Sequence, residues 1–187
     1  MSNTPELRNH FLIAMPALAD PNFSHTVTYI CEHSEEGAMG IVINRPMAVS
    51  LEEVLRQMEI EPSNKLDTSV MVNDGGPVQP EHGFVIHTPV GAWEASLPIS
   101  EEIALTTSRD ILTAIGHNEG PARYLIALGY AGWGPGQLEE ELKQNAWLSG
   151  PANQEILFEL PLEQRWEAAA RLLGIDLNLL SSDIGHA

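Results

Sequence analysis

Clustered positive charge is what this chain most lacks. Nine Lys and Arg stand against 26 Asp and Glu, a net charge of −17 over 187 residues. The nine cations (Arg8, Arg45, Arg56, Lys65, Arg109, Arg123, Lys143, Arg165 and Arg171) never come closer than six positions. Nucleic-acid binding draws on clustered cations that displace counterions. Here the overall field repels phosphate, so direct nucleic-acid binding is disfavoured, while action through a basic partner stays open. Cysteine is nearly absent too. Cys31 stands alone, which excludes an intrachain disulfide and agrees with a reducing compartment. No apolar run reaches the roughly 18 residues of a membrane-spanning helix. Met1–Asn9 carries no basic stretch, and Pro16 interrupts Phe11–Ala19, so no signal peptide and a cytoplasmic location are expected. Zinc-site spacings are missing around His25, Cys31 and His33. No metal and no cofactor is expected.

What is present reads as one domain. Apolar content is 43% and charged content 19%, which are globular values, and the length suits a single core. No internal repeat or low-complexity tract occurs. Phe11–Met15 reads as a buried strand stopped by Pro16. Val27–His33 alternates with strand periodicity, and Gly37 turns it into a second run, Met39–Asn44, ended by Pro46. Ser50-Leu-Glu-Glu53 is a capping box for a helix through Met58, with Leu51, Val54, Leu55 and Met58 on one face. Val70–Asn73, Gly83–His87 and Trp93–Leu97 read as strands. A cap at Thr107 or Ser108 opens a helix that Gly116 ends. Tyr124–Tyr130 reads as a buried strand and Gln137–Gln144 as a helix. Glu155–Leu160 reads as a short strand. Leu162, Trp166, Ala169 and Leu173 fall at helical spacing before Gly174, and Asp176–Leu180 as a last helical turn. Glu61–Thr68 and Leu148–Asn153 read as loops. Hairpins dominate the first half, so the expected class is α+β with a mixed or antiparallel sheet.

Four glycines fall within eight residues of Gly129–Gly136, between a strand and an acidic helix. A phosphate loop would need a Lys where Gln137 stands, and Glu139, Glu140 and Glu141 already occupy the positive end of the helix. The favoured reading is a tight corner that needs small residues, with Tyr130 and Trp133 offering a contact or ligand surface. Asp74-Gly75-Gly76-Pro77 reads as a hairpin turn rather than an anion nest. His82 and His87 point to opposite faces of their strand. Cys31 and His33 share a face about 7 Å apart, too far for a nucleophile pair, and read as a core thiol beside a surface imidazole. Arg45 reads as the partner of a nearby acid. Trp166 reads as core, whereas Trp133, set in a glycine loop, reads as an exposed aromatic suited to a protein contact.

Together these segments resemble the YqgE/AlgH family. The matching pieces are Asn9-His-Phe-Leu-Ile-Ala-Met-Pro16, Asp20-Pro21, Tyr29-Ile-Cys-Glu-His33, Gly37-Ala-Met-Gly-Ile-Val-Ile-Asn-Arg-Pro46 and Gly75-Gly-Pro-Val78. Later come Gly83-Phe-Val-Ile-His87, Leu128-Gly-Tyr-Ala-Gly-Trp133, Gly136-Gln-Leu-Glu-Glu-Glu-Leu142, Leu173-Gly-Ile-Asp176 and Gly185-His-Ala187. Glu81-His82 departs from the family's more usual acid-Arg pair. The resemblance implies an α/β-sandwich-like fold with a bifurcated, partly barrel-like sheet. It also implies a family without an established enzymatic activity, one branch of which is labelled a transcriptional regulator. The leading expectation is a cytoplasmic interaction or regulatory protein, more an interaction protein than an enzyme, acting through a protein partner. Its cleft would comprise Asn44, Arg45, Gly75, Gly76, His87, Tyr130 and Trp133. The alternative is a small-molecule sensor or enzyme with His87, Arg45 and Asp74 around one pocket near the glycines.

Overall fold

A computed structural model describes residues 6–179. The apolar run after Asn9 forms β1 (His10–Ala14), which pairs antiparallel with β2 (Val27–Ser34). β2 turns at Glu35 and Glu36 into β3 (Gly37–Val42), the hairpin that the alternation and Gly37 predict. Pro46 does not only end a segment. It begins β4 (Pro46–Ser50), and proline is tolerated at a strand's first residue because no donor is required there. Ser50 then caps α1 (Leu51–Gln57), its Oγ accepting the Glu53 N–H at 3.4 Å.

The chain continues through β5 (Met71–Asp74), β6 (Val78–Thr88), β7 (Ser96–Pro98), β8 (Ala104–Thr106), α2 (Arg109–Gly116), β9 (Arg123–Trp133), α3 (Gln137–Lys143), β10 (Trp147–Pro151) and α4 (Arg165–Leu172). β8 and β10 were not expected, and β10 occupies most of the segment read as a loop at Leu148–Asn153. Glu155–Glu159 is a π-helical turn, not the expected strand. Short apolar runs fit either state by pattern alone. Here the Asn153 side chain accepts the Ile156 N–H at 3.0 Å and starts a helical turn. Gly174, with a φ of +74°, stops the last long helix as expected. A helical turn at residues 177–179 follows. Leu180 and the Gly185-His-Ala187 segment lie outside the described residues.

The strands form one curled, half-barrel sheet in the order β10-β1-β2-β3-β9-β6-β8-β7. β9 is where it forks. One edge of β9 pairs along its length with β6. The other edge is shared. Residues Ala131–Trp133 pair antiparallel with β3, and Ala127 and Leu128 pair parallel with β5, which carries β4 outward. The fork is stitched by Gly75, whose N–H donates to Leu128 O at 2.8 Å and whose carbonyl accepts Val42 N–H at 2.9 Å.

Both sheet faces are covered, so the strands read as nearly continuous apolar runs. Phe11, Tyr29, Ile86, Leu125 and Ala127 face the hollow of the curl, packed under α4 and the π-helical turn. Their neighbours Val85 and Ile126 face outward against Leu51, Leu55, Ile111 and Ile115 of α1 and α2. Leu12, Ile30, Ala131 and Trp133 face outward against Leu138 of α3. Arg165 braces the inner side. It is 6% exposed, and its Nη1 donates to Ile43 O at 2.8 Å and its Nε to Leu160 O at 3.0 Å. Burial draws its guanidinium down to about 10. No helix among the described residues is long and apolar enough to cross a membrane.

Candidate functional site

The glycine-rich corner divides into a strand and a turn. Gly129 and Gly132 lie inside β9, which runs on to Trp133, and only Gly134-Pro135-Gly136 makes the turn into α3. Gly129 has a φ of +79°, a conformation that favours glycine. A Cβ there would also stand 2.3 Å from Gly76 O. The contact is mutual. A Cβ on Gly75 would stand 2.3 Å from Gly129 O, and one on Gly76 would stand 2.2 Å from the Tyr130 carbonyl carbon. Asp74-Gly75-Gly76-Pro77 is therefore not the hairpin turn its sequence predicts. β5 and β6 lie on opposite edges of β9, and the two glycines carry the chain across the β9 backbone, where no side chain fits. Asp74 Oδ1 accepts the Gly76 N–H at 3.2 Å and shapes the crossing.

The other expected site residues are held by structural bonds. Asn44 braces a loop: Oδ1 accepts Val27 N–H at 2.8 Å and Nδ2 donates to His25 O at 2.9 Å. Arg45 pairs with no acid among the described residues. Its Nη1 and Nη2 donate to the carbonyls of Asn22 (2.5 Å) and Ser24 (3.3 Å). His87 is fully buried. Its Nδ1 lies 2.9 Å from Pro89 O, which can only accept, so Nδ1 carries the proton and Nε2 accepts from the Thr106 hydroxyl at 2.7 Å. Burial holds this imidazole below its ordinary range, opposed by the Pro89 carbonyl. His87 pairs with Tyr124 and Asp74 with Leu128, on opposite edges of β9. That separation is on the order of 15 Å along the sheet, so His87 and Asp74 cannot serve one reacting centre.

Trp133 is not an exposed aromatic. It is 6% exposed, stacked on Phe23 with centroids 6.1 Å apart and edge-on to Trp147 at 6.1 Å. Its Nε1–H donates to Glu141 Oε1 at 3.2 Å, and the same oxygen accepts Trp147 Nε1–H at 2.9 Å. Glu141 thus organises an aromatic core. Tyr130 is half-buried against Phe84, centroids 5.7 Å apart.

Cys31 and His33 do not share a face. β2 carries a bulge between Ile30 and Glu32, which leaves Cys31 in the inner core and turns His33 outward beside Ala38. The Cys31 thiol is fully buried, and burial raises it far above the range of a reactive thiolate. His33 is not a surface imidazole either, its side chain being 4% exposed. Nδ1 accepts Leu7 N–H at 2.9 Å, so Nε2 carries the proton and donates to Glu139.

The concavity best suited to binding lies elsewhere. A groove of about 560 Å³ runs between α1, α2 and the outer face of β6 and β9. Val54, Met58, Leu112, Ile126 and Leu128 line it, with Gly83 on the β6 side and Glu81, His82, Thr107, Ser108 and Arg109 around it. Leu51 and Leu55 of α1 are buried while Val54 and Met58 are only partly buried against the same core, so the apolar face of α1 is wider than the sheet fully covers. That width is visible in the sequence, but reads as ordinary core. A second depression of about 660 Å³, lined by Glu6, His33, Glu35, Glu139, Glu140 and Lys143, is acidic and open. Among the described residues no three His, Cys, Asp or Glu are placed to hold a metal ion.

A curled sheet forked at one strand, glycines crossing at the fork and helices on its outer face define a class of single-domain α+β half-barrels. The chain belongs to the AlgH-like family, whose sequence model matches residues 11–178. A UPF0301 protein of Thioalkalivibrio sulfidiphilus is 58% identical over 187 residues, spanning 100% of both chains. One from Nitrosococcus oceani is 57% identical over 180 residues, 96% of each chain. The solution structure of the AlgH protein from Pseudomonas aeruginosa matches with a TM-score of 0.80 and 50% identity, over 97% of this chain and 96% of that one. A crystal structure from Corynebacterium diphtheriae shares the fold at 20% identity, with a TM-score of 0.76 over 97% of this chain and 94% of that one. The names of these relatives state a family and no activity.

Proposed function

We propose that this protein is a non-enzymatic regulatory or interaction protein of the cytoplasm, acting through a protein partner. Its contact surface is the groove between α1, α2 and β6. The observation that carries this reading is the groove itself, floored by the partly buried Val54, Met58 and Leu128 beside the buried Leu112. Apolar surface left open and rimmed by polar residues is the usual mark of a contact site. A net charge of −17 speeds encounter with a basic partner. A regulator label in the family fits action through such a partner better than direct contact with DNA.

A photo-cross-linking residue at Met58, introduced into the full chain in cells, is expected to trap one protein that the same residue at Glu167 of α4 does not. The product should vanish in a Gly83→Leu variant, which narrows the groove. Identical products from Met58 and Glu167, or none from Met58, would sink the reading. The second reading, a small-molecule sensor, has the groove's volume in its favour. About 560 Å³ lies within the range of ligand sites, and Thr107, Ser108 and Arg109 supply polar groups.

A further inference from the structure

We propose that Ser96 is a site of covalent acylation, its hydroxyl taking the acyl group of an uncharged activated ester or thioester while Thr106 and His87 draw off the proton. The modification goes beyond the docking role of the groove and does not depend on it.

Three strands bring these side chains into one line. Thr106 of β8 stands opposite Val85 of β6 on one side and opposite Ser96 of β7 on the other. Residues opposite one another share a face, as do residues two apart on one strand. Ser96, Thr106 and His87 therefore all lie on the outer face. Thr106 Oγ1 is 2.7 Å from His87 Nε2 and 3.0 Å from Ser96 Oγ. The inner end sets the direction of the line. Pro89 O can only accept, so His87 Nδ1 carries the ring proton and Nε2 accepts. Thr106 has one hydroxyl proton and gives it to Nε2. Toward Ser96 it has only lone pairs left, so the Ser96 O–H donates to Thr106. Both hydroxyl protons point inward, toward an imidazole nitrogen that can take one.

Burial grades the line. His87 and Thr106 are fully buried, whereas Ser96 is exposed. The base is dry and held neutral by burial, and the nucleophile meets solvent. A nucleophile, a base and a third group that orients the base are the parts an activated hydroxyl requires. Here Thr106 stands between the first two, and Pro89 O is the third. The backbone beside Ser96 is fixed to the start of α2. Ala95 N–H donates to Ser108 Oγ at 3.0 Å, Thr107 N–H to Ala95 O at 2.9 Å and Glu94 N–H to Asp110 Oδ2 at 2.8 Å. That join carries the acids Glu94 and Asp110, while Arg109 is turned to Met58 O. Two acids near Ser96 disfavour a phosphoryl donor and leave an uncharged acyl donor.

In the step, Ser96 Oγ bonds to the acyl carbon as its proton passes to Thr106 and the Thr106 proton passes to His87 Nε2. The bond from the acyl carbon to the leaving oxygen or sulfur breaks, and a proton returns along the same line to that leaving group. Acylated Ser96, a free alcohol or thiol and neutral His87 remain. The transfer is a single event and needs no turnover.

The test treats the full chain with p-nitrophenyl acetate and follows acetylation residue by residue by peptide mass mapping. Ser69 is the internal control, an exposed hydroxyl bonded to the Asp67 carboxylate rather than to an imidazole line. Ser96 is expected to acetylate at least about a hundred-fold faster than Ser69, a comparison that needs no variant. Thr106→Val removes the linking hydroxyl at similar volume and should slow Ser96 by about a hundred-fold, and Thr106→Ser should restore it. His87→Gln keeps an acceptor but no base and should cause the same loss, with melting temperatures confirming that each variant is folded. Equal rates at Ser96 and Ser69 overturn the proposal, as does a folded Thr106→Val or His87→Gln protein acetylated at Ser96 at the wild-type rate.

Discussion

Burial governs what His87 does. In the folded chain it is neutral, bonded at both ring nitrogens and held below its ordinary value of 6.5. Below that value the unfolded chain binds a proton that the folded one does not, so stability is complete above it and is lost as pH falls. Urea denaturation from about pH 7.5 to 5.5 should show this loss, at most about 1.4 kcal/mol per pH unit from this site. The difference between wild type and His87→Gln isolates the contribution, and an unchanged slope in the variant would contradict it. Glu141 makes a second prediction. Glu141→Ala leaves the Trp133 and Trp147 indoles without their acceptor and should cost about 2–4 kcal/mol by chemical denaturation. Glu141→Gln, which keeps an oxygen in place, should cost clearly less. Trp133→Ala should cost about 3–5 kcal/mol, the loss of a core residue rather than of a partner contact. At this scale the sequence misleads in a definite way. Trp133 and His33 sit among small or polar neighbours in the chain, yet each is covered by residues far away in sequence: Phe23 and Trp147, Leu7 and Glu139.

Elements meet most closely at the fork of β9. There the glycines are not interchangeable, and a series of Gly→Ala variants separates them. Gly75→Ala, Gly76→Ala and Gly129→Ala each drive a methyl group into backbone at 2.2–2.3 Å. These variants are expected to be unfolded or more than about 4 kcal/mol destabilised, the exceptional end of single substitutions. Gly136→Ala meets nothing within 4 Å but must adopt a φ of +74°, and should cost about 1–2 kcal/mol. Gly83→Ala should lie within about 0.5 kcal/mol of wild type. Thermal melts of the five proteins check the order, and a stable Gly75→Ala would refute the crossing described here. Ser50 and Gly174 were legible as a cap and a stop because such signals act within a turn of the chain. The pairing of β5 with β9 and the absence of a β5–β6 hairpin were not, because pairing partners are chosen by the sheet.

For the molecule as a whole, charge is the dominant property. A net −17 on 187 residues opposes compaction by self-repulsion, which salt screens. Raising NaCl from about 0.02 to 0.2 M, where the Debye length falls from roughly 20 to 7 Å, should raise the melting temperature. A fall would mean that specific ion pairs outweigh the repulsion. The described pairs between charged groups, Arg8–Glu6, Arg56–Glu52, Arg123–Glu159 and Arg171–Glu167, all join largely exposed side chains and are the kind worth little. A gel-shift with duplex DNA at about 0.15 M salt should show no complex, and a specific complex would overturn the preference for a protein partner.

Composition and local pattern determined the class, the Ser50-capped helix, the first hairpin and the family. These follow from residue pattern along the chain and from hydrogen bonds made within a few residues. The tertiary structure alone decided that β9 would fork the sheet, that Gly75 and Gly76 would cross it, and that Trp133 would be buried. It also decided that the open apolar surface would lie beside Gly83. Burial and sheet pairing are properties of neighbours brought together by folding, and a residue's place in the chain does not state what will cover it.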